Sequence, residues 1–227
     1  MKKDLEAAAN WFKSTTGSDE YTISPLRQEA SSRSYFRIIT NDKSYILALH
    51  VKDSHQKNSA ASGSSPADFL YAAKLLGNNS VRVPEVYAFS EDLSLMLQED
   101  LGDVTLDSHK ELDNRIVLEQ ALDQLSLIYS VEQDVLKAFS FHSLIKQTNN
   151  FLDIYDDRNI ALNKEEISTI DTLRKSLVEQ IMEQPFLPTH NDFERRNFIF
   201  FKQEIYIIDF QDLNVGPIGM DLASLLY

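Results

Sequence analysis

The chain has no cysteine among its 227 residues, which excludes a disulfide framework, a thiol nucleophile and a thiolate metal site, and leaves the redox compartment open. Grouped positive charge is also lacking. The formal net charge is −13 and the lysines form no run, which argues against a general nucleic-acid binder, because phosphate neutralisation needs clustered Lys and Arg. The acidity reads as a solubility feature. No stretch approaches about 18 consecutive apolar residues. The start Met1-Lys2-Lys3-Asp4-Leu5-Glu6 follows its two lysines with acidic residues instead of an apolar run, so a cytoplasmic protein is expected. No internal repeat is visible. What is present is a composition 43% hydrophobic, enough to bury a core, in a length suited to one domain of two lobes.

The pattern changes character twice along the chain. Leu5, Ala8, Ala9 and Phe12 share one face of a short helix over residues 4–13 that closes near Gly17. Strands are expected at 21–26, 35–40 and 45–51, with Asn41-Asp42-Lys43 supplying hairpin-turn chemistry between the last two. Residues 54–65 are small and polar and read as a mobile loop. Ser65 as N-cap and Pro66 at the first helical position predict a helix over 66–76 ending at Gly77. Two more strands follow at 85–89 and 93–98. From Leu112 the apolar residues recur at three- and four-residue steps (Ile116, Leu118, Ala121, Leu122, Leu125, Ile128), and residues 165–183 repeat the helical style.

Chemistry concentrates in Thr189-His190-Asn191-Asp192-Phe193-Glu194-Arg195-Arg196-Asn197 and the later Ile207-Ile208-Asp209-Phe210. An Asp on a loop can accept the proton of an attacking hydroxyl, and an Asn five residues on offers a neutral oxygen to a metal. Residues 198–201 and 205–208 read as two short apolar strands joined by the polar turn Lys202-Gln203-Glu204, so Asp209 emerges at a strand end. Asn197 and Asp209 then converge on one Mg²⁺, which neutralises phosphate charge during phosphoryl transfer. Taken singly, His190 is better read as a turn cap, Asn197 as a turn residue and Asp209 as a helix cap. The ordered set with apolar strands between favours the phosphotransfer reading.

Leu97-Gln98-Glu99-Asp100-Leu101-Gly102 ends a strand in a short acidic segment whose backbone can pair with the edge of an adenine. It is a candidate hinge, and an ordinary acidic loop is the other reading.

Three segments resemble one known group. Glu29-Ala30-Ser31-Ser32-Arg33-Ser34-Tyr35-Phe36-Arg37 is similar to the phosphate-side hairpin D-A-S-x-R-R-Y-F-R of bacterial amino-sugar kinases. The Glu99-Asp100-Leu101-Gly102 hinge and the run from His190 to Asp221, with Asp209-Phe210-Gln211-Asp212 and Gly216-Pro217, complete the match. The chain resembles the aminoglycoside phosphotransferase and choline kinase-like superfamily. Within it, the likeness is greatest to kinases that phosphorylate the anomeric hydroxyl of N-acetylmuramate and N-acetylglucosamine in cell-wall recycling.

The resemblance implies an α+β, bilobal protein-kinase-like fold, with a β-rich N-lobe over 1–98, a hinge over 99–102 and a helical C-lobe over 103–227. It implies an ATP-dependent kinase using Mg²⁺ and a small-molecule acceptor, without nucleic-acid or membrane partners. Asp192 would be the catalytic base, His190 its buttress, and Asn197 and Asp209 the metal ligands. Ser31, Ser32 and Arg33 would lie over the ATP phosphates, with Gln98, Glu99 and Leu101 at the base and Gln147, Gln211 and Asp212 facing the acceptor. Arg33 and Arg37 are also readable as strand-face charges, and Arg195 and Arg196 as structural partners of nearby carboxylates.

The sequence departs from the group in three places. The strand Tyr45-Ile46-Leu47-Ala48-Leu49-His50-Val51 has no Lys, and the helix segment Ala67-Asp68-Phe69-Leu70-Tyr71 no Glu, for the usual kinase ion pair; Lys52 is the nearest substitute. Gln147 stands where an acidic residue is expected. The helix beginning at Asp221 runs into the last residue, Tyr227, where the superfamily continues through further helices, which reads as a short form, a fragment or a degenerate product. Alternatives to the amino-sugar kinase are a kinase of an aminoglycoside or amino alcohol, and a nucleotide-binding protein without turnover.

Overall fold

The computed structural model describes residues 2–26, 33–50, 66–108, 114–158 and 160–226. Its elements fall into two units, one formed by residues 1–127 with 195–212 and the other by residues 128–194 with 213–227.

The first unit is built on a five-stranded antiparallel sheet of β1 (Tyr21–Pro25), β2 (Arg33–Thr40), β3 (Ser44–His50), β4 (Val86–Ser90) and β5 (Leu95–Glu99), in the order β1-β2-β3-β5-β4. Alternation decides its faces. Ile23, Phe36, Ile38, Tyr45, Leu47, Leu49, Leu95 and Leu97 project to one side, where α1 (Lys2–Thr16) covers them with Ala8 and Phe12. Phe12 sits edge-on to Tyr21 and Tyr45, with ring centroids 5.0 and 5.5 Å away. Phe12→Ala is expected to cost this unit about 3–5 kcal/mol, since a fully buried ring leaves a cavity under a sheet that cannot collapse into it. Urea unfolding measures this directly; a loss under about 1 kcal/mol would contradict the packing.

Several boundaries differ from expectation for local reasons. The helix α1 runs on to Thr16, whose hydroxyl donates back to the Phe12 carbonyl, and closes at Gly17 with φ +70°. The helix α2 (Pro66–Asn78) continues through Gly77 and stops where Ser80, at φ 64°, takes the left-handed position. Its buried residues Phe69, Ala72, Ala73 and Leu76 hold one face at helical spacing. Leu93 and Ser94 belong to the turn before β5, with Ser94 at φ 54°. The Ser65 cap and the loop over 54–65 lie outside the described residues.

The same unit holds α3 (Asn114–Tyr129) up to Leu127 and the hairpin of β7 (Phe198–Phe201) with β8 (Glu204–Ile207). Both edges of that hairpin are tied down. The Leu106 N–H donates to the Phe198 carbonyl and the Phe200 N–H to the Val104 carbonyl; on the other edge Ile207 N–H reaches the Arg82 carbonyl and Ile205 N–H the Gln120 amide oxygen of α3.

The second unit carries α4 (Phe141–Gln147), α5 (Asn150–Asp157) and α6 (Lys164–Met182), a two-stranded pair of β6 (Phe186–Thr189) with β9 (Asn214–Pro217), and α7 (Gly219–Leu226). Asn163 opens α6 with a capping box closed by Glu166. The buried Arg174 of α6 bonds Thr148, the Ile145 carbonyl, Asn149 and Asp171, fastening α6 to the end of α4. In β9, a Cβ on Gly216 would meet Phe139 and the Thr189 hydroxyl at 2.9 Å, so only glycine lets these strands approach.

Candidate active site

In the second unit, β6 delivers the chain to His190, Asn191 and Asp192. Asp221, in the first turn of α7 and fully buried, receives this loop on both carboxylate oxygens. Oδ2 accepts the His190 N–H at 2.7 Å and Oδ1 the Asn191 N–H at 2.8 Å. Two successive backbone donors aimed at one carboxylate require a sharp bend, and Asn191 supplies it at φ 72°. Below the bend, buried His190 accepts the Asp192 N–H on Nδ1 at 3.3 Å and stands edge-on to the fully buried Phe193. The Glu194 N–H then bonds the Asp192 carbonyl at 2.9 Å. The backbone at Asp192 is thus fixed from both sides, which is what a positioned base needs.

In the sequence Asp221 closes the run of resemblance and starts a helix, with no role in bracing the loop assigned to it. Its signal is a lone carboxylate in the otherwise apolar Gly219-Met220-Asp221-Leu222-Ala223-Ser224-Leu225-Leu226. Burial pushes its carboxyl above the ordinary range, against the opposing pull of the two N–H bonds. Asp221→Asn is expected to lose about 1–3 kcal/mol, because an amide offers one acceptor and turns donors toward the second N–H. A raised folded value means that the native state binds the extra proton. The advantage of Asp221 over Asn therefore shrinks as pH rises from the ordinary carboxylate range through the raised value. Unfolding curves of both proteins across acid pH test it; a difference flat with pH would contradict the assignment.

In the first unit, the β7–β8 register sets the other candidate group. Phe198 opposes Ile207, and the next rung is closed by the Ile208 N–H donating to the Asn197 carbonyl at 3.0 Å. Asn197 and Asp209 consequently leave the same open end of one hairpin. The opposite end is a tight two-residue turn, with Lys202 and Gln203 both at positive φ, so Glu204 belongs to β8. Asp209 lies at φ 62°, a left-handed conformation that Asp tolerates better than most residues. It accepts the Gln211 amide at 2.9 Å. Phe210, fully buried, stacks at 4.6 Å on Phe69 of α2 and anchors the turn. Among the described residues no three acidic or histidine side chains form a cage. An amide and a carboxylate that leave one hairpin end are of the residue types that suit Mg²⁺, a cation that needs few protein ligands beside water and phosphate oxygens.

The hinge candidate follows β5. Gln98 is buried, and its Oε1 has no hydrogen-bond partner among the described residues. The Glu99 N–H is already used by the Glu85 carbonyl at 2.8 Å, so it is not open to a base. Leu101 is buried and Gly102 turns the chain at φ 80°.

The remaining candidates divide. Ser31, Ser32 and Lys52 lie outside the described residues, and Arg33 is the first residue of β2, paired with His50. Gln147 is exposed at the last position of α4. Gln211 is engaged with Asp209 while Asp212 is exposed, and Arg195 reaches the Leu106 carbonyl at 3.4 Å. His190 and Asp192 stand together in one unit, and Asn197, Asp209 and Gln211 in the other.

The family model described as "Phosphotransferase enzyme family" matches residues 22–227. The chain belongs to the phosphotransferase enzyme family. A protein of Neisseria meningitidis serogroup B named N-acetylmuramate/N-acetylglucosamine kinase is 25% identical over 229 residues, covering 96% of this chain and 64% of that protein. A protein of the same name from Pseudomonas aeruginosa is 29% identical over 205 residues, covering 88% and 58%. The chain thus spans about three fifths of the length of these relatives.

Among solved structures, a choline kinase from Streptococcus pneumoniae matches this phosphotransferase-family chain with a TM-score of 0.68 at 18% identity, over 98% of this chain and 74% of its own. An ADP-bound aminoglycoside phosphotransferase gives 0.66 at 18%, over 95% and 73%. These likenesses establish the fold as the α+β, protein-kinase-like one. No described helix is long and apolar enough to cross a membrane.

Proposed function

We propose that the protein transfers the γ-phosphoryl group of ATP to a hydroxyl of a small molecule, and that the acceptor is the anomeric hydroxyl of an N-acetylated amino sugar. The observation that carries the first part is the loop of Asp192, cast by Asp221 and His190 in the order and spacing that phosphoryl transfer uses. The amino-sugar part is supported by the names of the two relatives and by the resemblance of residues 29–37.

In this reading the acceptor oxygen forms a bond to the γ-phosphorus as the bond to the β–γ bridging oxygen breaks, and ADP leaves. Asp192 orients the hydroxyl and takes its proton. The anomeric hydroxyl is more acidic than other sugar hydroxyls, so orientation is the larger part of that task. Asn197 and Asp209 would hold Mg²⁺, which when bound supplies charge neutralisation at the phosphate oxygens. Ser31, Ser32 and Arg33 would cover the phosphates, and the segment from Gln98 to Leu101 would take the adenine. Gln211 keeps Asp209 oriented through its amide, and Asp212 with Gln147 would face the acceptor. The reaction belongs in the cytoplasm, in the reuse of cell-wall amino sugars.

ADP release measured across N-acetylmuramate, N-acetylglucosamine, choline and an aminoglycoside tests this reading. Release is expected with the amino sugars. Release with choline or the aminoglycoside alone would replace the acceptor, and MgATP binding without release for any of them would indicate nucleotide binding without turnover.

A further inference from the structure

We infer that Arg37 is the positioning residue of the base-binding turn, an inference that rests on reading residues 98–102 as the nucleotide hinge. Arg37 sits midway along β2 on the sheet face away from α1. Its cross-strand neighbour is Ile46, whose own neighbour on β5 is Gln98, so one row of the sheet runs from Arg37 to the end of the hinge strand. From there the guanidinium makes four short bonds to two carboxylates. Nε and Nη2 reach Asp100 at 2.7 and 3.0 Å; Nη1 and Nη2 reach Asp103 at 2.7 and 2.8 Å.

A single rigid fork therefore holds both ends of the turn that contains Leu101 and Gly102. The Asp100 side chain is 5% exposed and that of Asp103 is 73% exposed, so the clamp is rooted at its inner end. Asp100 Oδ1 also accepts the Gly102 N–H at 3.0 Å, and the Asp103 carbonyl accepts the Thr105 N–H at 3.1 Å. Residues 100–103 are folded around the guanidinium. Without it, Asp100 and Asp103 would face one another beside Glu99, with no other cation bonded to either among the described residues, in a chain of net charge −13.

An ordinary strand-face ion pair would be exposed and tied to one partner, and would contribute little. Arg37 is mostly covered, is doubly bidentate, and among the described residues its guanidinium bonds only to Asp100 and Asp103, in the segment that would meet the nucleobase. Its effect belongs on nucleotide affinity, because a turn that is correctly formed only part of the time weakens binding by that fraction.

The test compares Arg37→Met, Arg37→Lys and the triple variant Arg37→Met/Asp100→Asn/Asp103→Asn with the wild type. ATP affinity is measured by calorimetry, the kcat and KM values by ADP release, and amide hydrogen exchange at residues 99–103 by mass spectrometry. In Arg37→Met, the dissociation constant and KM for ATP are expected to rise about tenfold or more, as when the turn is formed about a tenth of the time. The acceptor KM should change little, and kcat should fall less than the KM for ATP rises. Exchange at 99–103 should accelerate. Arg37→Lys should lie between, since one ammonium cannot make two bidentate pairs, and the triple variant should regain part of the affinity once the repulsion is gone.

Wild-type ATP affinity in Arg37→Met, or in Arg37→Lys if the first does not fold, would overturn the inference. A wild type that does not bind MgATP would instead remove the hinge reading on which it stands. Unchanged exchange protection at 99–103 would overturn the clamp whether or not nucleotide binds.

Discussion

Asp192→Asn is expected to lower turnover by about 10² to 10⁴ while the fold and the affinity for MgATP are retained, the range for removing a positioned general base. The substitution keeps the shape of the side chain and removes its ability to take a proton. The loop that presents it is held by bonds that do not involve the Asp192 carboxylate: the His190 and Asn191 N–H groups on Asp221, and the Asp192 N–H on His190. The backbone should therefore stay in place and the loss should appear in kcat, with KM for the acceptor little changed. Steady-state kinetics on a confirmed acceptor, with thermal unfolding as the control, separate the two. Wild-type turnover in a folded Asp192→Asn protein would mean that another group takes the proton.

Asp209→Ala is expected to weaken the Mg²⁺ dependence of ATP binding by at least about 10²-fold, since loss of residues that merely support a metal ligand already costs about 10–100-fold. Asn197→Ala should act in the same direction and less strongly, because a neutral amide contributes less than a carboxylate to holding a dication. Neither change should unfold the hairpin. Its edges are tied by backbone bonds involving Val104, Leu106 and Arg82, and the chain just beyond Asp209 is anchored by Phe210 on Phe69. Calorimetric ATP titrations at several Mg²⁺ concentrations give the outcome. The same Mg²⁺ dependence in both variants and the wild type would rule out Asn197 and Asp209 as the metal-holding pair.

Several elements were legible in the sequence because each is specified locally. Phe198 to Phe201 is an apolar run, the Lys202-Gln203 turn is polar, and α1, α2, α3 and α6 repeat apolar residues at helical spacing. The pair β6 and β9 was not legible. Phe186-Leu187-Pro188-Thr189 and Asn214-Val215-Gly216-Pro217 contain the residues that strands disfavour, and they become strands because each supplies the other's pairing and Gly216 permits their close approach.

The candidate site divides the same way. His190, Asp192, Asn197 and Asp209 form an ordered string that can be read in one dimension. The groups that hold them cannot: Asp221 is about thirty residues from the loop it braces, and Arg37 is 63 residues from Asp100 and 66 from Asp103. No local pattern announces that two backbone N–H groups will meet one carboxylate, or that two hinge carboxylates will share one guanidinium. The contacts are products of the fold, and both involve charges that sequence reading assigns by default to solvent.

The most direct test of phosphoryl transfer to an anomeric hydroxyl is a phosphorus NMR spectrum of the protein with MgATP and N-acetylmuramate or N-acetylglucosamine. The expected result is growth of a sugar 1-phosphate resonance in step with ADP. A 6-phosphate product would contradict the anomeric assignment, and intact ATP in the presence of a protein that binds MgATP normally would contradict catalysis itself.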